Sequence, residues 1–311
     1  MSNLTLQGGQ TAVITGAGSG FGLELARLAA KKGLNLVLTD VQQDALDEAV
    51  AELSATGEQT GTQVAALRGD VSRAEDVQAL ADLCMERFGT PHIVINNAGV
   101  AHGGLIWEHT QRDWEWVLGV NLFGVVHGLR IFTPLMLAAA QKNATYRGHM
   151  VNVASMAGLL NSPNMGAYNV SKHAVVSLSE TLYQDLALVT EQVHASVLCP
   201  YFVPTGIHLS HRNRPKEMRS EGKPTASQMI AQAMSTKAVT SGKVTAADTA
   251  ALVFEAIEKG QFYIYTHPQA LAMVQTRLED VVQGRNPTDP FAGKPEIGQQ
   301  LKTALREAMK G

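Results

Sequence analysis

From Thr11 the chain runs Thr-Ala-Val-Ile-Thr, a short apolar segment, directly into Gly16-Ala17-Gly18-Ser19-Gly20-Phe21-Gly22 and then a helical pattern through Leu23, Ala26, Leu28 and Ala29. This order of strand, glycine turn and helix limits the possible folds more than any other stretch. Glycines let the backbone turn tightly and come close to a ligand, while the free N–H groups and dipole of the new helix offer a seat for a pyrophosphate. The spacing is not GxGxxG, because counted from Gly16 the last position falls on Phe21 and counted from Gly18 on Leu23. What stands here is Thr15-Gly16-xxx-Gly20-x-Gly22. A second apolar strand, Leu34 to Asp40, ends in a carboxylate where a dinucleotide domain presents an acid to the ribose hydroxyls. Asp40 therefore points to NAD: it would repel a 2′-phosphate, and neither Ser19 nor Val41 offers a cation to hold one.

The alternation continues along the chain. Helical spacing from Gln42 to Ala55 leads to a third strand at Gln63–Leu67, closed by Arg68-Gly69-Asp70-Val71, and a helix over about 73–88 leads to a fourth strand at His92–Ile95. Asn96-Asn97-Ala98-Gly99 follows at once, with short polar side chains suited to tying neighbouring strand ends together. A long helical tract from about Gln111 to Lys142 is interrupted by Asn121, and a fifth strand, His149–Ala154, ends on Ser155. Ala167–Val189 reads as a helix, Val193–Leu198 as a sixth strand ending in Cys199-Pro200-Tyr201, and Phe262–Tyr265 as a seventh. Strands alternating with helices predict an α/β fold with a doubly wound, mostly parallel seven-stranded sheet and ligands at the carboxyl ends of its strands.

Within this frame Tyr168 and Lys172 stand at i and i+4 on a helix, on one face and within reach of each other. Free tyrosine titrates near pH ~10, too high for acid–base work at neutral pH without a fixed positive charge beside it. One charge at ~4 Å contributes about 4 kcal/mol at an effective dielectric of ~20, or roughly three pKa units before desolvation opposes it. The expectation is a phenol brought near neutrality. A lone YxxxK is common, so its weight comes from the segments around it.

Those segments carry a resemblance. Thr15 to Gly22, Asn96 to Gly99, Asn121, Ser155, and Tyr168 with Lys172 stand in the order TGxxxGxG, NNAG, Asn, Ser, YxxxK, and over about residues 8–265 the chain resembles the short-chain dehydrogenase/reductase family. The resemblance implies a Rossmann-type fold, a nicotinamide cofactor and hydride transfer. It implies that Tyr168 exchanges the proton with the substrate oxygen, Lys172 binds the nicotinamide ribose and lowers the tyrosine's pKa, Ser155 hydrogen-bonds the reacting oxygen, and Asn121 holds a relay water. The cofactor set it implies is Gly16, Ser19, Gly20, Phe21, Gly22, Asp40, Asp70, Val71, Asn97, Ala98, Gly99, Pro200, Val203 and Thr205 with Tyr168 and Lys172; Asp70 faces the adenine. Two departures stand out. Pro200-Tyr201 replaces the usual Pro-Gly and sets a ring near the substrate pocket, and residues 266–311 continue where many relatives stop.

One domain over 1–311 is expected, with a substrate lid at about 205–242 and a C-terminal extension at about 266–311 read as surface packing. The lid reads as polar and poorly periodic, with Met218, Met229 and Met234 as candidate substrate contacts beside Ser155, Tyr168 and Tyr201. Its basic run, His208, His211, Arg212, Arg214, Lys216 and Arg219, suits an acidic substrate or a solvated face. His208 and His211 lack a third ligand, so no metal is expected. A net charge of −3 supports no nucleic-acid partner, and no uninterrupted apolar run near 18 residues argues for a membrane span. With Cys84 and Cys199 read as reduced core residues, a cytoplasmic location follows. A homo-oligomer, dimer or tetramer, is expected through the two long helices, using Leu122, Phe123, Val126 and Ile131 with Val176, Leu178, Leu182 and Leu186. The leading expectation is NAD-linked interconversion of a largely apolar secondary alcohol and its ketone. A 3-hydroxyacyl thioester dehydrogenase and a non-catalytic dinucleotide-binding scaffold are the alternatives.

Overall fold

In the computed structural model, which describes residues 4–219 and 222–309, the apolar runs become β1 (Thr11–Thr15), β2 (Asn35–Asp40), β3 (Val64–Arg68), β4 (Ile93–Asn96), β5 (Gly148–Val153), β6 (Val193–Cys199) and β7 (Tyr263–Tyr265). They form one seven-stranded sheet in the order β3-β2-β1-β4-β5-β6-β7 with every pair parallel. The order reverses at β1, and the first crossover from β3 to β4 leaves a cleft at the carboxyl ends of β1 and β4, where such sheets take ligands.

Both faces of the sheet are covered, which is why its strands read as near-continuous apolar runs. Alternate residues divide between the two sides: Val13, Val37 and Val94 pack one way, Ala12, Ile14, Leu36 and Ile95 the other. On the second side lie α1 (Gly20–Lys31), α2 (Gln43–Thr60) and α8 (Ala246–Lys259). On the first lie α3 (Ala74–Phe88), α5 (Gly124–Lys142) and α6 (Gly166–Val189). Phe132, fully buried on α5, would cost about 3–5 kcal/mol to truncate to alanine.

The tract expected as one helix at Gln111–Lys142 is α4 (Gln111–Leu118), a π-helical turn at Gly119–Phe123, and α5. As a unit it is long and apolar enough by length and composition to cross a membrane, although it holds no uninterrupted apolar run of that length. Its inward residues Val125, Leu129, Phe132 and Met136 account for that character by packing on the sheet.

The lid is more ordered than its sequence suggests. It contains 3₁₀ turns at Gly206–Asn213 and Lys216–Met218 and a regular helix, α7 (Ala226–Thr240), started by a capping box between Thr225 and Gln228. Arg214, from the basic run, is buried and ion-paired with Asp113 of α4 at 2.6 Å, stacks over Trp116 at 5.0 Å, and donates through Nε to the Met218 carbonyl at 2.7 Å. It clamps the lid to the body and is not free for an acidic substrate. Against the burial that would raise it, the His102 ring, Thr110 and Arg214 hold the Asp113 carboxyl well below the usual carboxylate range.

The extension also departs from expectation. After β7 come α9 (Leu271–Val282) and α10 (Pro295–Ala308), and the linking loop is pinned by Asp280, whose carboxylate accepts from Arg285 Nε and from Thr288 N, both at 2.9 Å. α10 packs on α7. Together they wall the main cavity, so the reading of 266–311 as surface packing is corrected.

Candidate active site

The glycine turn sits at the carboxyl end of β1. Gly16 has φ +65°, left-handed backbone that side-chain-bearing residues rarely adopt, and a Cβ at Gly22 would collide with the Gly16 carbonyl. The turn is held from β4: Thr15 Oγ1 accepts from Asn97 N at 2.9 Å and Ala98 N at 3.1 Å, and Asn97 Nδ2 donates to the carbonyls of Thr15 and Gly16 at 2.8 and 3.1 Å. Asn97 thus joins two strand ends, as its short side chain suggested. The Ser19 side chain makes no cap to α1, and the helix has no acid in its first turn. The first N–H groups of α1 therefore face the cleft without a protein acceptor, which fits the phosphates of a dinucleotide.

Asp40 closes β2. Its carboxylate accepts from Gly18 N at 2.9 Å and Gln42 N at 3.0 Å, so backbone amides aim it into the cleft beside the glycine turn. Arg68 stands nearby at the end of β3, with Nε donating to the Val41 carbonyl at 3.0 Å. Sequence reasoning missed this cation because it lies in space beside Val41 and not in sequence. Asp70 lines the same end, its Oδ1 engaged by the amide and hydroxyl of Ser72. The residues expected at the cofactor, Gly16, Ser19, Gly20, Phe21, Asp40, Asp70, Val71, Asn97, Ala98, Gly99, Pro200, Val203 and Thr205, all line one cavity of ≈ 1370 Å³. Gly22 lies just behind its wall.

Ser155, Tyr168 and Lys172 line that cavity too. Ser155 follows β5 and caps a 3₁₀ turn, its Oγ accepting from Ala157 N at 3.1 Å. Tyr168 stands at the start of α6 with partial access to the cavity. Burial raises its phenol above the ordinary value and a hydrogen bond from the Ser155 hydroxyl works against that rise. Lys172 is buried, donates to the Val153 carbonyl at 2.9 Å, and holds its Nζ 5.8 Å from the centre of the Tyr168 ring. Burial pushes its ammonium down to about 8. The expectation that Lys172 by itself brings the phenol near neutrality is corrected: burial raises the phenol's value and outweighs the Ser155 hydrogen bond that lowers it.

Asn121 lies in the π-helical turn, a common local departure at functional sites. Its Oδ1 accepts from Val100 N at 2.8 Å, and its Nδ2 donates to the Val100 carbonyl at 2.9 Å and to Ser171 Oγ at 3.0 Å. Both amide hydrogens are used, so a relay water would have to bind its main-chain carbonyl.

On the substrate side the sequence was less informative. Tyr201 lines the cavity as expected, tilted against Phe202 with ring centres 4.3 Å apart and edge-on to His267 at 5.8 Å. Met218 does not line it: it packs against the Trp116, Val117 and Ala167 cluster beneath the lid, because Arg214 draws its backbone toward α4. Met229 is exposed on the outer face of α7, whereas Met234, one turn further on and facing inward, does line the cavity with Ile207 and Ile230. Met165, Leu160 and Met273 join them unforeseen. Away from the cavity floor, His102, His109 and Asp113 bring possible ligand atoms within 4.8 Å of one another, but Arg214 already occupies Asp113 Oδ1, and a guanidinium there opposes a cation.

The chain matches the short chain dehydrogenase family over residues 10–216. It is 34% identical over 274 residues to a CLA biosynthesis dehydrogenase/reductase of Lactiplantibacillus plantarum, covering 86% of this chain and 92% of that one. It is 32% identical to 1-deoxy-11-beta-hydroxypentalenate dehydrogenase of Streptomyces exfoliatus, covering 88% of each. A short chain dehydrogenase/reductase from Burkholderia phymatum, solved in complex with NAD, superposes with a TM-score of 0.88 at 51% identity, over 92% of this chain and 99% of that one. With the Rossmann-like sheet, the glycine turn and the Ser155–Tyr168–Lys172 group, these likenesses lead to one conclusion: the chain belongs to the short-chain dehydrogenase/reductase family and is an oxidoreductase acting on CH–OH groups.

Proposed function

We propose that the protein is an NAD-dependent oxidoreductase interconverting a largely apolar secondary alcohol and its ketone. The observation that carries the reading is the convergence of Ser155, Tyr168 and Lys172 on the same cavity as the uncapped start of α1 and the Asp40 carboxylate. The dinucleotide, when bound, supplies the hydride acceptor or donor. Gly16, Gly20 and the α1 N-terminus would hold its pyrophosphate, Asp40 its adenosine ribose hydroxyls, and Lys172 its nicotinamide ribose.

The chain's own groups handle the proton. In alcohol oxidation the Tyr168 oxygen takes the hydroxyl proton; in ketone reduction it returns it. The Ser155 hydroxyl, which donates to the phenol in this structure, would turn its one hydrogen to the reacting oxygen when substrate is bound. A ribose hydroxyl between Lys172 and Tyr168 would bring the ammonium's influence closer than the ring-centre separation permits. Tyr201, Met234 and Ile230 exclude water from the substrate side.

NAD is favoured over NADP because Asp40 is fixed by two backbone amides and cannot swing away from a 2′-phosphate without leaving them unpaired. Of the basic run that motivated the thioester alternative, Arg214 is buried in an ion pair, while Arg212 lines the cavity and keeps that alternative as the second reading. A homo-oligomer is also proposed, through the outer faces of α5 and α6, where Phe123 and Val170 are exposed. Val176 and Leu186, expected at that face, are buried in the protomer core and drop out of it. A screen of secondary alcohols of graded size with NAD, following NADH absorbance, tests the main reading; no turnover of any apolar secondary alcohol would count against it.

A further inference from the structure

The part of the cavity remote from the glycine turn is a chamber walled by one stripe from each of three helices. Ile230 and Met234 come from α7, Met273 and Arg277 from α9, Ile297 and Leu301 from α10, each set at helical spacing. The α10 residues and Met273 belong to the C-terminal extension. These six residues are apolar except for Arg277, while Lys237, Thr276, Asp280 and Lys294 line the same cavity beside them.

Arg277 is the exception that needs a partner. It is half-buried, whereas the cavity-lining cations Arg212, Lys237 and Lys294 are exposed and the buried Lys172 belongs to the group around Tyr168. Arg285, also on the wall, is already paired with Asp280. Among the described residues no carboxylate lies within ion-pair distance of Arg277: Asp280, one turn along α9, spends its oxygens on Arg285 and Thr288. Its titratable neighbour on α6 is His173, whose ring burial holds below its ordinary pKa, helped by the Arg277 charge itself, so this neighbour offers no negative charge. A half-buried guanidinium without an ion-pair partner is a seat for a planar anion that accepts two of its N–H bonds.

We infer that Arg277 is the anion seat of the substrate chamber, and that the substrate is a hydroxy or oxo carboxylate whose reacting carbon and carboxylate are separated by an apolar hydrocarbon segment. The inference rests on the alcohol–ketone reading and adds the second end of the substrate. The hydrocarbon lies along Met273, Ile297, Leu301 and Met234; the reacting carbon meets Ser155 and Tyr168; the carboxylate pairs with the Arg277 guanidinium. Arg277 binds and orients the substrate and takes no part in proton transfer. Two of the three helices that enclose the chamber, α9 and α10, are built from the chain past β7.

The test is calorimetric, on enzyme saturated with NAD, with decanoate and its neutral amide as probes. Wild type should bind decanoate at least about tenfold more tightly than decanamide, the effect of one charge-assisted pair. Arg277→Gln should erase that preference while leaving decanamide affinity and NADH binding within about twofold, and Arg277→Lys should restore part of it. Equal affinities in wild type, or a preference that survives Arg277→Gln, would overturn the inference. A neutral long-chain ketone, assayed alongside, separates the two readings. A protein that seats decanoate on Arg277 but reduces no ketone sinks the alcohol–ketone reading and keeps the anion seat. One that reduces the ketone while treating acid and amide alike loses the anion seat alone.

Discussion

Replacing Lys172 by methionine should destroy activity and stabilise the protein without its dinucleotide. An ammonium that ordinarily loses its proton near 10.5 is pushed down to about 8 by burial here. At about 1.4 kcal/mol per pH unit, carrying that charge in the folded protein at pH 7 costs about 3 kcal/mol relative to the unfolded chain. Methionine fills a similar volume without the charge. It gives up the hydrogen bond to the Val153 carbonyl, about 1 kcal/mol, so the net gain is about 2 kcal/mol, roughly 4 °C in midpoint. The sign with pH follows from the depressed value. The unfolded chain binds the extra proton between pH 8 and 10.5, so wild-type stability rises across that window. The penalty is fully present below pH 8 and gone above 10.5. Urea unfolding of both proteins at pH 7 and pH 10 checks this: the methionine variant should lead by about 2 kcal/mol at pH 7 and lose most of the lead at pH 10. A variant less stable than wild type at pH 7, or a difference independent of pH, would refute the reasoning.

Asp40→Ala should shift preference toward NADP even without an added cation, because Arg68 already stands beside Val41; the ratio of kcat/KM for NADP over NAD should rise by about tenfold or more, and an unchanged ratio would remove Arg68 from the account. Tyr201→Gly should widen acceptance toward bulkier alcohols with NADH affinity nearly unchanged, since the ring lines the substrate side; an unaltered substrate profile would return Tyr201 to the role of filler. Light scattering at micromolar concentration should give a dimer or tetramer, lowered in mass by Phe123→Glu on the exposed face; a monomeric wild type rejects that face.

What could be read from the chain, and what could not, divides along a physical line. Thr15 to Gly22, Asp40, Asn97, Ser155 and Tyr168 all stand at the carboxyl ends of strands whose apolar runs are local signals, and parallel pairing brings such ends to one edge. Their convergence was legible. The substrate side depends on contacts between residues far apart in sequence. The Asp113–Arg214 pair spans 101 positions and decides where Met218 packs, and nothing near Met218 announces it. The direction in which α10 faces is set by its docking on α7, far from it in sequence. The pKa of Tyr168 was misjudged because helical spacing reports that a lysine is near, not how completely both groups are withdrawn from water.

The central claim is that Tyr168 carries the proton in an NAD-linked alcohol–ketone reaction. Tyr168→Phe removes only the phenolic oxygen, so turnover with NAD and a secondary alcohol should fall at least about 10²-fold. NADH affinity, read by fluorescence titration, should stay within about twofold of wild type. A phenylalanine variant that kept more than a few per cent of wild-type turnover would contradict the account, because the proton would then be moving through some other group.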